Sequence, residues 1–209
     1  EARMLTKGDD FPIHQKPSPL AEVGSSRNFY DRYFFNGYSH EDEIFFGAVL
    51  CVYPNLNIMD AAFTIAHKGV QHNVRASRIL NLERLDTVVG PIQVKVIEPL
   101  QKLQVLVNDK DSGINVDITF DGFTEVLQEP QMYLYDGPRK TMDTCRMVQH
   151  GSWTGQIKLE NLTIDIDQEK FVGTRDRSWG VRPVGAYDSQ PTVPMSLPQF
   201  YWLWNPAHF

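Results

Sequence analysis

The chain has 209 residues, 42% of them hydrophobic and 22% charged, with a formal charge of −6 at pH 7. This is globular composition, long enough for a full core in one large domain or two small ones, and its acidic balance argues against nucleic acid, whose binders carry a basic excess. No run approaches the roughly 18 apolar residues of a membrane span, and the first residues lack the basic, apolar and small-residue order of a secretion signal.

Residues 1–27 carry Pro12, Pro17, Pro19 and Gly24-Ser25-Ser26, and read as an irregular N-terminal arm. The arm is too poor in apolar residues for a core of its own and is expected to drape over the rest of the chain. Residues 28–199 form the main domain. Its first segment, Asn28 to Tyr38, has aromatics on both faces of a strand, which suits either core packing or the wall of a ligand pocket. Ile44 to Tyr53 is an almost unbroken apolar run, the pattern of a strand covered on both sides. Arg75 to Leu85 is ambiguous, because Ile79, Leu82 and Leu85 also suit a turn of helix.

Beyond it the period is two. Ile92, Val94 and Val96 alternate with polar residues, as do Ile114, Val116, Ile118 and Phe120, and then Leu162, Ile164 and Ile166. Glu98-Pro99, Asn108 to Gly113, Asp121-Gly122 and Glu160-Asn161 supply turns between them. Short strands at this spacing indicate an all-β fold, an antiparallel barrel or sandwich. The chain begins without Met and ends in the aromatic run Phe200 to Trp204, so it reads as a fragment of a longer protein.

Cys51 and Cys145 have no Cys-x-x-Cys spacing; scattered thiols of this kind suit a reducing compartment, so the expected location is cytoplasmic. His14, His40, His67, His72, His150 and His208 form no helical pair or His-x-His set, so no metal is expected. His72 and His150 are candidates for hydrogen-bonding roles, or simply half-buried histidines with satisfied nitrogens. No P-loop, dinucleotide fingerprint or nucleophile elbow occurs, so no cofactor is expected either. Asn161-Leu162-Thr163 is a formal glycosylation sequon, treated as chance because it sits at a hairpin.

The densest stretch is His150-Gly151-Ser152-Trp153-Thr154-Gly155 with Gly173-Thr174-Arg175-Asp176-Arg177-Ser178-Trp179-Gly180-Val181-Arg182. Glycines inside strands mark bulges or close backbone approach, and these bracket two tryptophans. On a strand Asp176 and Ser178 share one face, and Arg175, Arg177 and Trp179 the other. If the Asp176 face looks into a barrel, burial raises the carboxyl's pKa and makes it an acid. The alternative is a structural ion pair with Arg182 or another arginine.

These two stretches, with Asn28 to Ser39, Met59 to Phe63 and Arg84 to Pro91, resemble the lipocalin-like superfamily of carotenoid 1,2-hydratases (hydroxyneurosporene synthases) and AttH-type proteins, in an uncharacterised bacterial branch. The resemblance covers most of the chain. It implies two lipocalin-like barrels in a longer protein, with this chain as the first and residues 200–209 starting the crossing to the second. It also implies a hydrophobic isoprenoid-, steroid- or polyene-like ligand and a cofactor-free hydratase or cyclase type of lyase or isomerase. Asp176 matches the position of the family's proton-donating aspartate, with Ser178 in place of an Asn and Arg177 in place of a residue that is often His.

Such chemistry needs a neutral acid in a dry pocket and aromatic faces for the carbocation. Tyr30, Trp153, Trp179, Arg182 and His150 are the expected ligand-binding residues around Asp176. One obstacle lies in the spacing: on a regular strand Trp179 faces away from Asp176, so Gly180 or a bulge would have to re-aim one of them. An enzyme, a carrier that only retains the ligand, and a barrel filled by its own side chains all remain open at this level.

Overall fold

The computed structural model describes residues 5–12, 26–39, 41–81, 83, 85–183, 201 and 203–207. Its strands are β1 (Phe29–Ser39), β2 (Ile44–Tyr53), β3 (Ile58–His67), β4 (Val70–Ile79), β5 (Val88–Val89), β6 (Ile92–Glu98), β7 (Lys102–Asp109), β8 (Ile114–Gly122), β9 (Leu127–Gln128), β10 (Met132–Asp136), β11 (Arg139–Leu159), β12 (Leu162–Ile166) and β13 (Val172–Val181). All pair antiparallel in one sheet of order β4-β3-β2-β1-β13-β11-β8-β7-β6-β5, and β9, β10 and β12 attach to the 21-residue β11. No α-helix occurs among the described residues. The sheet curls into a nearly closed barrel. At the seam Arg78 of β4 donates from Nε to the Val88 carbonyl (2.6 Å) and from Nη2 to the Asp86 carbonyl (2.8 Å), replacing the missing strand pairing.

The all-β expectation therefore holds, and two local expectations change. Arg75 to Ile79 lies in β4 rather than in a helix, because β3 offers a full ladder from Ile58↔Ile79 to His67↔Val70 that outweighs weak helical spacing. Asp121-Gly122 is not a turn but the end of β8, paired with Lys102 of β7 and with Gly151 and Ser152 of β11. The Glu160-Asn161 link is as expected, joining Leu159 to Leu162, with Glu160 at φ 49°. Cys51 is a buried free thiol.

The inward face carries the period-two apolar residues. Phe35, Phe46, Phe63, Phe120, Trp153 and Phe171 are all essentially without exposure. Trp153 is the hub, with edge-on contacts to Phe35, Phe46 and Phe120 at ring distances of 5.9, 5.2 and 5.3 Å. Its indole N–H donates to the Asn36 carbonyl at 2.9 Å, so no polar atom of the ring is left unpaired.

Room for this ring comes from glycines. Gly37, Gly173, Gly151 and Gly122 lie opposite one another in a single row across β1, β13, β11 and β8. A Cβ on Gly37 or Gly151 would overlap the Phe46 or Phe120 ring, and one on Gly173 would overlap the Asn36 carbonyl.

Candidate functional site

In an antiparallel sheet, residues directly opposite each other project to the same side. Arg177 lies opposite Tyr33 and Arg175 opposite Phe35, and both partners belong to the inward core. Arg175, Arg177 and Trp179 therefore look into the barrel, and Asp176 and Ser178 look out. The expectation of an interior Asp176 is corrected by this register. Gly180 has φ 133° yet leaves the alternation of 176 to 179 intact. Trp153 and Trp179 are thus on the opposite side of the sheet from Asp176.

The interior is closed at the Arg175 end by the N-terminal arm. Its short 3-10 turn, Lys7–Asp10, places the fully buried Asp10 carboxylate against Arg175 at 2.5 Å. The second Asp10 oxygen accepts from the Leu100 N–H, and the Tyr33 hydroxyl donates to the Asp10 carbonyl at 2.7 Å. Arg177 pairs with Asp31 at 2.5 Å, lies 4.1 Å over the Tyr33 ring and donates to the Phe11 carbonyl. These charges answer one another inside the barrel. Their chemistry is that of a stopper.

The outward face carries a different set. Arg146, Ser178, Arg32, Cys51, Asp60 and Ser77 form one rung across β11, β13, β1, β2, β3 and β4. Asp176, one rung away, is only 7% exposed. A single nitrogen of Arg32, Nη2, reaches its two oxygens at 3.3 and 3.4 Å, and Arg146 Nε stands 4.0 Å off. These are long contacts for charged partners, which usually close to about 2.7–2.9 Å. Burial pushes the Asp176 carboxyl above the ordinary aspartate value, against the opposing pull of Arg32 and then Arg146. On the next rung Arg32 Nε and Ser178 Oγ, and one rung beyond it the buried Tyr30 hydroxyl, have no hydrogen-bond partner among the described residues.

Tyr30 lies on this outer side, opposite Gly180, with the Arg182 guanidinium 4.2 Å over its ring; Arg182 does not pair with Asp176. His150 is also on the outer side, opposite Thr174, where its backbone N–H donates to Thr124 Oγ1. His67 and His72 fall on one face at the β3–β4 hairpin, since His72 is opposite Ile65. His14, His40, His208, Phe200 and Trp202 lie outside the described residues. The described residues 201 and 203–207 form no strand, and Trp204 packs edge-on against Phe34 at 6.0 Å.

A cleft of about 550 Å³ opens on the outer face, lined by Arg32, Cys51, Tyr53, Asp60, Arg75, Ser77 and Arg182 among others. Burial raises the Asp60 carboxyl and pushes the Cys51 thiol up to about 12, so that thiol stays protonated and unreactive. Reasoning from sequence missed Arg32, Asp60 and Arg75. The only signal for them was their polar position in alternating strands, and the register that joins them spans segments far apart in the chain. Among the described residues no group of three or more His, Cys, Asp or Glu could hold a metal ion.

Two solved structures place the fold. An AttH-type protein of Nitrosomonas europaea superposes with a TM-score of 0.59 at 10% identity, over 77% of this chain and 54% of its own. Kievitone hydratase of Nectria haematococca gives 0.57 at 15% identity, over 81% and 56%. The architecture shared with them is the lipocalin-like barrel, and the chain spans about half the length of either. No curated protein matches the chain by sequence. The sequence profile of DUF8625, a family of unknown function, matches residues 5–209, and the chain belongs to that family.

Proposed function

We propose that this protein binds a hydrophobic small molecule of the isoprenoid, steroid or polyene kind on the outer face of its sheet. It acts on that molecule by cofactor-free proton transfer, in a hydration, cyclisation or isomerisation, with Asp176 as the donor. The observation that carries the reading is a carboxyl nine-tenths buried on an outward face, raised above its ordinary pKa, one rung from the unsatisfied Arg32 Nε and Ser178 Oγ. A hydratase with the same architecture lends support, although at 15% identity that likeness speaks to fold alone.

This outer site differs from the one expected of the interior. Arg32, Ser178 and, one rung to the other side, His150 are the outer-face neighbours of Asp176; Tyr30 and Arg182 lie further along the same face, and Trp153 and Trp179 serve the core. The aromatic groups on the Asp176 rung are then Phe34 and the Trp204 packed against it. A second barrel belongs to this proposal, in keeping with a chain that spans about half the length of the two solved structures.

The competing reading is a binding module with no turnover, favoured by the two arginines that pull the Asp176 carboxyl back toward its charged form. The test is incubation of the full protein with a panel of isoprenoid and polyene alkenes in deuterated water. Proton donation leaves deuterium on substrate carbon whatever the final product. Asp176→Asn should keep binding and lose deuterium incorporation by a factor of about 100 or more. Unchanged incorporation in Asp176→Asn would remove the role of that residue, and retention of ligand without incorporation by the wild type would favour the carrier.

A further inference from the structure

The outer cleft collects guanidinium groups in a protein whose net charge is −6. Three arginines line it, Arg32, Arg75 and Arg182, with Asp60 as the carboxylate among them. Arg32 already answers Asp176. Arg75, exposed on β4, forms no ion pair among the described residues. Arg182 rests on the Tyr30 ring and also lacks a carboxylate partner among them. Asp60 pairs with no cation among the described residues, and burial is what raises its pKa.

The charges therefore leave a definite remainder. Asp176 offsets Arg32, and an ionised Asp60 offsets one of the other two arginines at most. About one positive charge is unanswered, beside an apolar wall that includes Val49 and Ala62. A dianion would meet the Asp60 carboxylate as well as the arginines, whereas a single carboxylate matches the remainder. Arginine suits that partner, since its planar fork can give two parallel hydrogen bonds to one carboxylate.

We propose that the cleft is the recognition site for the head group of the ligand, and that the head group is a carboxylate on an apolar body: Arg75 and Arg182 hold the acid while Val49 and Ala62 meet the hydrocarbon. This inference rests on the reading that the outer face binds ligand. Its charge count takes Asp176 as the ionised partner of Arg32. It narrows the substrate class from hydrophobic molecules in general to amphipathic monocarboxylic acids.

The experiment compares decanoate with decanol, equal in chain length and different in charge, by calorimetric titration of the full protein at low salt. Decanoate should bind about tenfold more tightly, the difference expected for one charged hydrogen-bonded contact. In Arg75→Met and Arg182→Met, both checked by circular dichroism for an unchanged fold, the preference for the acid should shrink toward parity while decanol binding stays the same. Equal affinity for the two probes in the wild type overturns the head-group assignment and leaves outer-face binding standing. A preference that survives in both variants also overturns it, because the acid is then held elsewhere. Failure of both probes to bind removes the outer-face reading together with the inference.

Discussion

Asp60 and Asp176 are both aspartates of the outward face whose pKa burial raises, yet their surroundings set them apart. Asp176 has two arginines within reach, and Asp60 has no paired cation among the described residues. For Asp60 the linkage has one sign. Its folded-state pKa lies above the ordinary 3.8, so the folded protein binds the proton more tightly than the unfolded chain. Stability attributable to this group is then greatest in acid and falls as pH rises from the ordinary value through the raised one. Asp60→Asn removes the charge and keeps the shape. The variant should melt at a higher temperature than the wild type at pH 7, with the gap closing below about pH 4, where the carboxyl is protonated in both states. Thermal unfolding across that range checks it, and a wild type that melts higher at pH 7 would mean that Asp60 has a cationic partner in solution.

At the scale of the element, β13 is the informative strand because it carries two unrelated jobs on its two faces. Inward, Arg175 and Arg177 hold the arm. Outward, Asp176 and Ser178 join the polar rung of Arg32 and Arg146. The glycine row adds a third constraint, since Gly173 must let β1 and Trp153 approach. Gly173→Ala should cost about 1–3 kcal/mol or more by overpacking, because the obstruction is backbone carbonyl rather than a movable side chain. Gly47→Ala is the control: its nearest neighbours stand 3.5 Å from the new Cβ, ordinary contact distance, so its effect should stay within about 0.5 kcal/mol. Urea midpoints of the two variants decide it. Equal losses would mean that the row is not a packing device.

For the whole molecule, the barrel and its arm form one unit through charges that have left water. Asp10 comes from the first dozen residues and Arg175 from the last strand, so the pair ties the two ends of the described chain together. Removing one partner of such a pair leaves an uncompensated buried charge, at a cost of about 3–5 kcal/mol. Asp10→Ala should therefore lower the unfolding midpoint steeply, and adding Arg175→Met should restore part of the loss, since the stranded cation is then gone. Chemical denaturation of the single and double variants measures this. A double variant no more stable than Asp10→Ala would show that the arm is held by its backbone contacts with Tyr33 and Arg177 rather than by the ion pair.

Much of the architecture was legible along the chain. Alternating apolar residues at 92–96 and 114–120 marked strands with one buried face, and those at 162–166 a strand buried only at Ile166, because a period of two is a local property of an extended backbone. Alternation also separated Asp176 and Ser178 from Arg175, Arg177 and Trp179. What alternation lacks is a sign: it says which residues share a face and not which face is inside. That choice was made by β1 and β11, whose Tyr33, Phe35 and Trp153 pull the arginine face of β13 into the core, with Asp10 and Asp31 supplying the charges that make it tolerable there. The outer rung was beyond sequence for the same reason. Arg32, Cys51, Asp60 and Ser77 become neighbours only when four strands settle in register, and register is a property of pairing between strands.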